Sequence, residues 1–267
     1  MYSHLILSGG GVKGITMLGA LLCLEHNDKL NNLTNIGGTS IGALIGSLLC
    51  IMKPSEIQYK IQDMFVFKES DINIKNIFTN FGLIEENHLV SFVGNLFTLK
   101  LGKTPTMKEL FDFSKIELDI YATNISKQQL EKFNYKTEPD LLISDAVKMT
   151  INLPILFTKI EYKKSLYVDG GIIENFPWRN YETININKKI GIDLTSEKNE
   201  TEITKLNEYI YNILYSMWSQ GFCTETDGVL KLYEDCSVFH FNMTNEIISK
   251  KLHNGYEKMS VYLKKRV

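Results

Sequence analysis

Residues 33–51, LTNIGGTSIGALIGSLLCI, decide how this chain is built. An apolar strand, Leu33 to Ile36, runs into Gly37-Gly38-Thr39-Ser40, and an apolar stretch from Ile41 to Ile51 follows. A helix apolar on all sides has to be buried. Gly38-Thr39-Ser40-Ile41-Gly42 is therefore a G-x-S-x-G run lodged between a strand and a buried helix. In that setting the flanking glycines let the chain turn tightly, leaving a serine with its Oγ exposed and a helix N-terminus behind it. The plainer reading of such a run is a glycine packing site on a helix. The strand in front of it favours a nucleophile.

Upstream, residues 5–21, LILSGGGVKGITMLGAL, read as a strand from Leu5 to Ser8 and a helix from Val12 to Glu25. Glycine inside an element costs about 0.5–1 kcal/mol relative to alanine, so Gly9, Gly10 and Gly11 need a reason. The spacing Gly9-x-Gly11-x-x-Gly14 matches a dinucleotide loop. That reading fails on its second half, because the next strand ends in Gly-Gly-Thr-Ser rather than in an acid for the ribose, and Glu25 lies mid-helix. A Walker A lysine-serine pair is absent too. Two successive parallel strands instead bring the glycine loop beside Ser40. The N–H groups of Gly9, Gly10, Gly11 and Ile41 are then candidate donors to the oxyanion of an acyl group attacked by Ser40. Lys13 either adds positive charge at the loop's edge or is an ordinary solvated helix lysine.

Serine needs a base. The order Ser…Asp…His is met on paper by Ser40, Asp169 and either His240 or His253. Position argues against it: Ser40 follows only the second strand, His240 lies inside the strand-like VFHF, and His253 inside a lysine-rich helix. The competing base is Asp169 in Tyr167-Val168-Asp169-Gly170-Gly171, at a strand end. An aspartate near pKa 3.9 accepts a serine proton poorly, so burial would have to raise it. Otherwise it is a turn aspartate capping the next segment.

The remaining sequence gives these motifs an α/β frame. Ser55 to Phe65 reads as helical, the stretch to Phe81 as less regular, and Glu86 to Thr98 as a helix. Thr106 to Phe113 reads as a short helix, Glu117 to Thr123 and Leu130 to Tyr135 as strands, and Leu141 to Ile151 as a helix stopped before Pro154. Leu166 to Val168 and Thr183 to Ile192 read as strands. Helices near Ile203 to Ser219 and over Asn245 to Lys264 flank a short strand, Val238 to Phe241. The sum is a mostly parallel central sheet with helices on both faces, in one domain over 1–267. Its motifs lie in 4–180 and a helical part spans 200–267.

At 267 residues, 44% hydrophobic and 22% charged, the chain has the composition of a globular protein with a large core. A formal charge of −2 gives no general attraction to nucleic acid. Cys23, Cys50, Cys223 and Cys236 are scattered without metal-ligand spacing and read as reduced core thiols of a cytoplasmic protein. No signal peptide or membrane-spanning run is expected, nor a metal or cofactor. The C-terminal SKKLHNGYEKMSVYLKKRV offers a basic face to anionic headgroups, or simply a solvated helix. The aromatic run from Tyr209 to Trp218 reads as core.

Glycine loop, G-x-S-x-G and D-G-G, in this order, resemble the patatin-like phospholipase family. The residues that carry the likeness are Gly9-Gly10-Gly11-Val12-Lys13-Gly14, Gly38-Thr39-Ser40-Ile41-Gly42, and Asp169-Gly170-Gly171 with Asn175 and Pro177 after them. Asp145 to Phe157 looks like the family's helix-then-proline segment. Lys13 stands where members more often carry arginine, and KMTINLPILF lacks their small serine-rich stretch. The resemblance implies a three-layer α/β/α fold, Ser40 as nucleophile, Asp169 as its dyad partner and the glycine loop as oxyanion hole. It also implies hydrolysis of acyl esters of phospholipids or other lipids without a cofactor, often at a membrane surface.

Overall fold

The computed structural model describes residues 1–64, 72–85, 88–195, 227–234 and 243–266, with residues 203, 204, 209, 212, 213 and 216 singly. Its strands are β1 (His4–Leu7), β2 (Asn35–Thr39), β3 (Gly82–Ile84), β4 (Glu117–Asn124) and β5 (Gln129–Phe133), then β6 (Ile155–Phe157), β7 (Ile160–Tyr162), β8 (Ser165–Asp169), β9 (Lys189–Thr195) and β10 (Val229–Tyr233). The larger helices are α1 (Gly14–His26) and α2 (Ile41–Leu49). After the short α3 (Pro54–Gln58), α4 (Ile61–Met64) and α5 (Asn76–Asn80) come α6 (His88–Leu101), α7 (Met107–Ser114), α8 (Ile143–Thr150), the single turn α9 (Gly171–Glu174) and the C-terminal α10 (Asn245–Lys264).

The main sheet runs β10-β9-β1-β2-β4, all parallel. Such a sheet is covered on both faces, and the alternation along its strands sorts the core accordingly. Leu5, Leu7, Ile36, Ile190 and Ile192 point to the layer of α1, α2 and α8. Ile6 and Tyr121 point the other way, onto Phe176, Trp178 and Tyr181. That second layer is thin among the described residues: α9 and the 3-10 turn Pro177–Tyr181. Helix α1 is buried almost all round because α10 packs over it. The two axes come so close that a Cβ on Gly255 would lie 1.9 Å from the Thr16 carbonyl oxygen.

Strand β4 explains how the site is assembled. One edge pairs antiparallel with β5, from Ile120↔Phe133 to Asn124↔Gln129. The other edge carries β2 in parallel as far as Thr39↔Tyr121, and then β8 antiparallel from Ala122↔Asp169. Strands β2 and β8 thus approach head to head along one edge of β4. Their C-terminal ends meet between Tyr121 and Ala122, bringing Ser40 to Asp169.

Several expectations need correction. Gly37 and Gly38 lie within β2 rather than after it, since the strand starts at Asn35 and has no room for side chains there. The sheet is mostly parallel as expected, with Asp169 ending β8, which pairs antiparallel with β4. The strand expected over Thr183 to Ile192 begins only at Lys189, after 3-10 turns at Pro177–Tyr181 and Ile186–Lys188. Ser55 to Phe65 breaks into α3 and α4. Strands β3, β6, β7 and β10 add to those expected. Nearly all of Ile203 to Ser219, and all of Val238 to Phe241 with His240, Cys223 and Cys236, lie outside the described residues.

Candidate active site

Ser40 sits between β2 and α2 with φ 52° and ψ −126°. A non-glycine residue held there costs on the order of 1–3 kcal/mol and persists only where its surroundings enforce it. They do so through close approach. A Cβ on Gly42 would lie 2.5 Å from the Ser8 carbonyl oxygen, and one on Gly38 would lie 2.6 Å from the Ala43 nitrogen. The two glycines of the G-x-S-x-G run therefore let α2 start directly against β1 and β2, with Ser40 at the bend.

The Ser40 hydroxyl donates to Asp169 Oδ2 at 2.6 Å, and the other carboxylate oxygen, Oδ1, accepts the Gly171 N–H at 2.8 Å. Ser40 is 8% and Asp169 1% exposed. Burial pushes the Asp169 carboxyl up to about 7, against the lowering pull of the Ser40 hydroxyl and the Gly171 N–H. Such a carboxylate can take a hydroxyl proton near neutral pH and give it back.

The glycine loop lies against this pair. A Cβ on Gly9 would come 3.1 Å from Ser40 Cβ and 2.3 Å from Asn175 Oδ1. The Gly9 N–H donates to the Asn175 carbonyl at 2.9 Å, and Asn175 Nδ2 donates back to the Gly9 carbonyl at 3.4 Å. Gly9 thus fastens the loop to the segment after Asp169, and its N–H is taken. Among the described residues no hydrogen bond takes the N–H of Gly10, Gly11 or Ile41. Gly11 has φ 55°, a left-handed backbone that glycine adopts at no steric cost. Lys13 is 2% exposed, so it is not a solvated helix lysine. Its N–H donates to the Gly10 carbonyl at 3.2 Å, and Gly14 opens α1 behind it. Gly170 and Gly171 follow Asp169 closely, and a Cβ on Gly170 would lie 2.4 Å from the Tyr121 carbonyl oxygen.

Three further residues hold the site together. Thr150, at the end of α8, accepts the Ser40 N–H on Oγ1 at 2.8 Å and donates to the Tyr121 carbonyl. The Asn152 carbonyl accepts the Asp169 N–H at 2.8 Å. Asn175 is the loop's fastener. Thr150 and Asn152 lie in the Asp145 to Phe157 segment, where the sequence singles out neither. Of the competing triad's histidines, His253 is exposed on α10 and does not join them, and both Asp169 oxygens are bonded, to Ser40 and Gly171.

The family described as patatin-like phospholipase matches residues 5–180. A probable lipid hydrolase of Invertebrate iridescent virus 6 is 32% identical over 181 residues, covering 66% of this chain and 62% of that protein. An uncharacterized protein of Acanthamoeba polyphaga mimivirus is 27% identical over 262 residues, 90% of this chain and 86% of its own length. Among solved structures, VipD from Legionella pneumophila superposes with a TM-score of 0.69 at 17% identity, over 99% of this chain and 67% of that one. The type III effector ExoU gives a TM-score of 0.54 at 16% identity, over 99% of this chain and 53% of its own. At these identities the two structures bear on the fold, and both share it.

Proposed function

Since the chain belongs to the patatin-like phospholipase family, we propose that it is a lipid acyl hydrolase of phospholipase A type, with Ser40 as nucleophile and Asp169 as its base. The observation that carries this reading is the 2.6 Å hydrogen bond from a serine at a strained strand-to-helix turn to a buried carboxylate. Ser40 Oγ attacks the ester carbonyl carbon while its proton passes to Asp169 Oδ2. The carbonyl oxygen becomes an oxyanion facing the free N–H groups of Gly10, Gly11 and Ile41, where each well-aimed donor is worth roughly 2.7–4 kcal/mol. Collapse breaks the ester bond, and the departing lysolipid alkoxide takes the proton from Asp169. Water then attacks the acyl-serine, its proton goes to Asp169 and on to Ser40 Oγ, and a fatty acid leaves.

The scheme uses groups of the chain alone, and the buried Lys13 adds positive charge at the start of α1. We further infer that 1–267 forms one domain, supported by α10 packing on α1 and β10 pairing with β9. Among the described residues no helix is long and apolar enough to cross a membrane, and Cys23 and Cys50 are buried free thiols. A cytoplasmic enzyme that meets lipid surfaces peripherally fits both. The test is product analysis by mass spectrometry on phospholipid vesicles, with and without EDTA. The expected products are free fatty acid and lysolipid, undiminished by EDTA and absent with Ser40→Ala. Release of water-soluble phosphorylated headgroups, or strict calcium dependence, would overturn the reading.

A further inference from the structure

The end of α8 and the residues just after it grip both halves of the site, through Thr150 and Asn152. The Thr150 hydroxyl accepts the Ser40 N–H at 2.8 Å, the Thr150 carbonyl accepts the Gly170 N–H at 3.4 Å, and the Asn152 carbonyl accepts the Asp169 N–H at 2.8 Å. The Asn152 side-chain amide then donates to the Tyr167 carbonyl at 3.0 Å, two strand positions before Asp169. Thr150 itself is fully buried. Of these contacts, the first three bind backbone beside the reacting side chains, and the first depends on a side chain that mutagenesis can remove.

We infer that Thr150 is a positioning residue for the nucleophile, locking the strained Ser40 backbone through a hydroxyl that bridges the Ser40 N–H and the Tyr121 carbonyl. The direction of the bridge matters. The hydroxyl hydrogen is committed to Tyr121, so the lone pairs of Oγ1 face Ser40. A buried N–H at a positive-φ turn has no helix or strand partner of its own, and leaving it unpaired would favour relaxation of the turn. Relaxation would move Oγ away from Asp169 and from the free N–H groups of the glycine loop, and catalysis is sensitive to misplacement on the order of 1 Å. The same bond withdraws the Ser40 N–H from oxyanion binding, which leaves that task to Gly10, Gly11 and Ile41.

This inference rests on the hydrolase reading above, and a single experiment separates the two. Thr150→Ser, Thr150→Ala and Thr150→Val are compared with wild type and Ser40→Ala for kcat and KM on a p-nitrophenyl acyl ester. Rates are taken per active site titrated with a serine-reactive fluorophosphonate, and melting temperatures are recorded. The expected result is a kcat lower by about 10- to 100-fold in the Ala and Val variants, the size of one lost buried hydrogen bond. KM should stay within about twofold, as for an interaction realised in the transition state. Thr150→Ser should restore most of kcat, and the pH midpoint of the rate should not move in any variant. A purely structural threonine would lower the melting temperature while leaving kcat per titrated site intact. That outcome in Thr150→Ala would overturn the inference, as would a folded Thr150→Ser no better than Ala. Thr150→Ala carries the comparison if Thr150→Val does not fold. A wild type without esterase activity, or an active Ser40→Ala, would instead break the hydrolase reading.

Discussion

Two buried aspartates beside the same strand are held in opposite ways. Asp119, on β4, accepts hydrogen bonds from Tyr181 Oη at 2.7 Å, Asn134 Nδ2 at 2.7 Å and Asn35 Nδ2 at 3.3 Å, with Lys132 Nζ 3.8 Å away. Asp169, which faces the next residues of β4 from the end of β8, accepts, among the described residues, only the Ser40 hydroxyl and the Gly171 N–H. A carboxylate with a full set of donors is a structural hub. One that is buried with few donors stays basic, and folding spends stability to keep it so. The polar groups around Asp119 tie β2, β4 and the Tyr181 turn together, whereas those around Asp169 leave a carboxylate hydrogen-bonded to the Ser40 hydroxyl.

Removing the reacting groups should have the largest effect. Ser40→Ala and Asp169→Asn are each expected to lower kcat by about three orders of magnitude or more in an ester hydrolysis assay, and the double variant should be no worse than either single one. The Asp169 change should also stabilise the fold. A carboxyl raised to about 7 makes folding less favourable as pH climbs from the unfolded-state pKa near 4 towards 7. The gain in melting temperature of Asp169→Asn over wild type should therefore be small at pH 4 and larger at pH 8.

At Asp119 the pattern should invert. Asp119→Ala leaves the Tyr181 hydroxyl and the Asn35 amide buried without their acceptor, a loss of about 1–3 kcal/mol for each orphaned group, while Asn134 Nδ2 keeps Glu117 Oε1 at 3.3 Å. Denaturant unfolding should show a large drop in stability, with kcat per folded molecule within about twofold of wild type. If activity per folded molecule collapsed there as well, the contrast between the two aspartates would not hold.

The pH profile sharpens the comparison further. kcat/KM should rise with pH through a midpoint near 7, since Asp169, raised to about 7, must be ionised to accept the serine proton. Asp193 is a control: burial pushes its carboxyl up to about 7 as well, while Lys231 and the Ser8 hydroxyl lower it, yet it does not touch Ser40. Asp193→Asn should leave the midpoint in place. Smallest of all, His240→Gln and His253→Gln should each change kcat by no more than several-fold, whereas a triad histidine would cost several orders of magnitude.

Ser40, the glycine loop and Asp169 are legible in the sequence because glycines punctuate each of them. A glycine next to a strand end costs stability unless a tight bend or a close approach requires it, so three such clusters mark three places where the backbone is forced. The head-to-head meeting of β2 and β8 is not legible. Ser165–Asp169 is too short to announce its direction, and pairing depends on which edge of β4 is left free by β5. Thr150 reads from sequence as one more residue on an amphipathic helix, and its contact is made 110 residues away. Asn175 stands in a motif, but nothing in the sequence says that its carbonyl takes the Gly9 N–H. The alternation of Leu230 and Leu232 in VLKLY is a strand signal, though a weak one, since its flanks carry no turn marker other than Gly228.

The most direct test is to trap the acyl-enzyme or its phosphonate analogue. The protein is reacted with a fluorophosphonate, or quenched during turnover of a slow ester, digested, and the modified peptide sequenced by mass spectrometry. The expected adduct lies on Ser40, forms more slowly as pH falls below about 7, the value to which Asp169 is raised, and is absent in Ser40→Ala. An adduct on another residue, or turnover that persists without any adduct in Ser40→Ala, would contradict a Ser40–Asp169 mechanism.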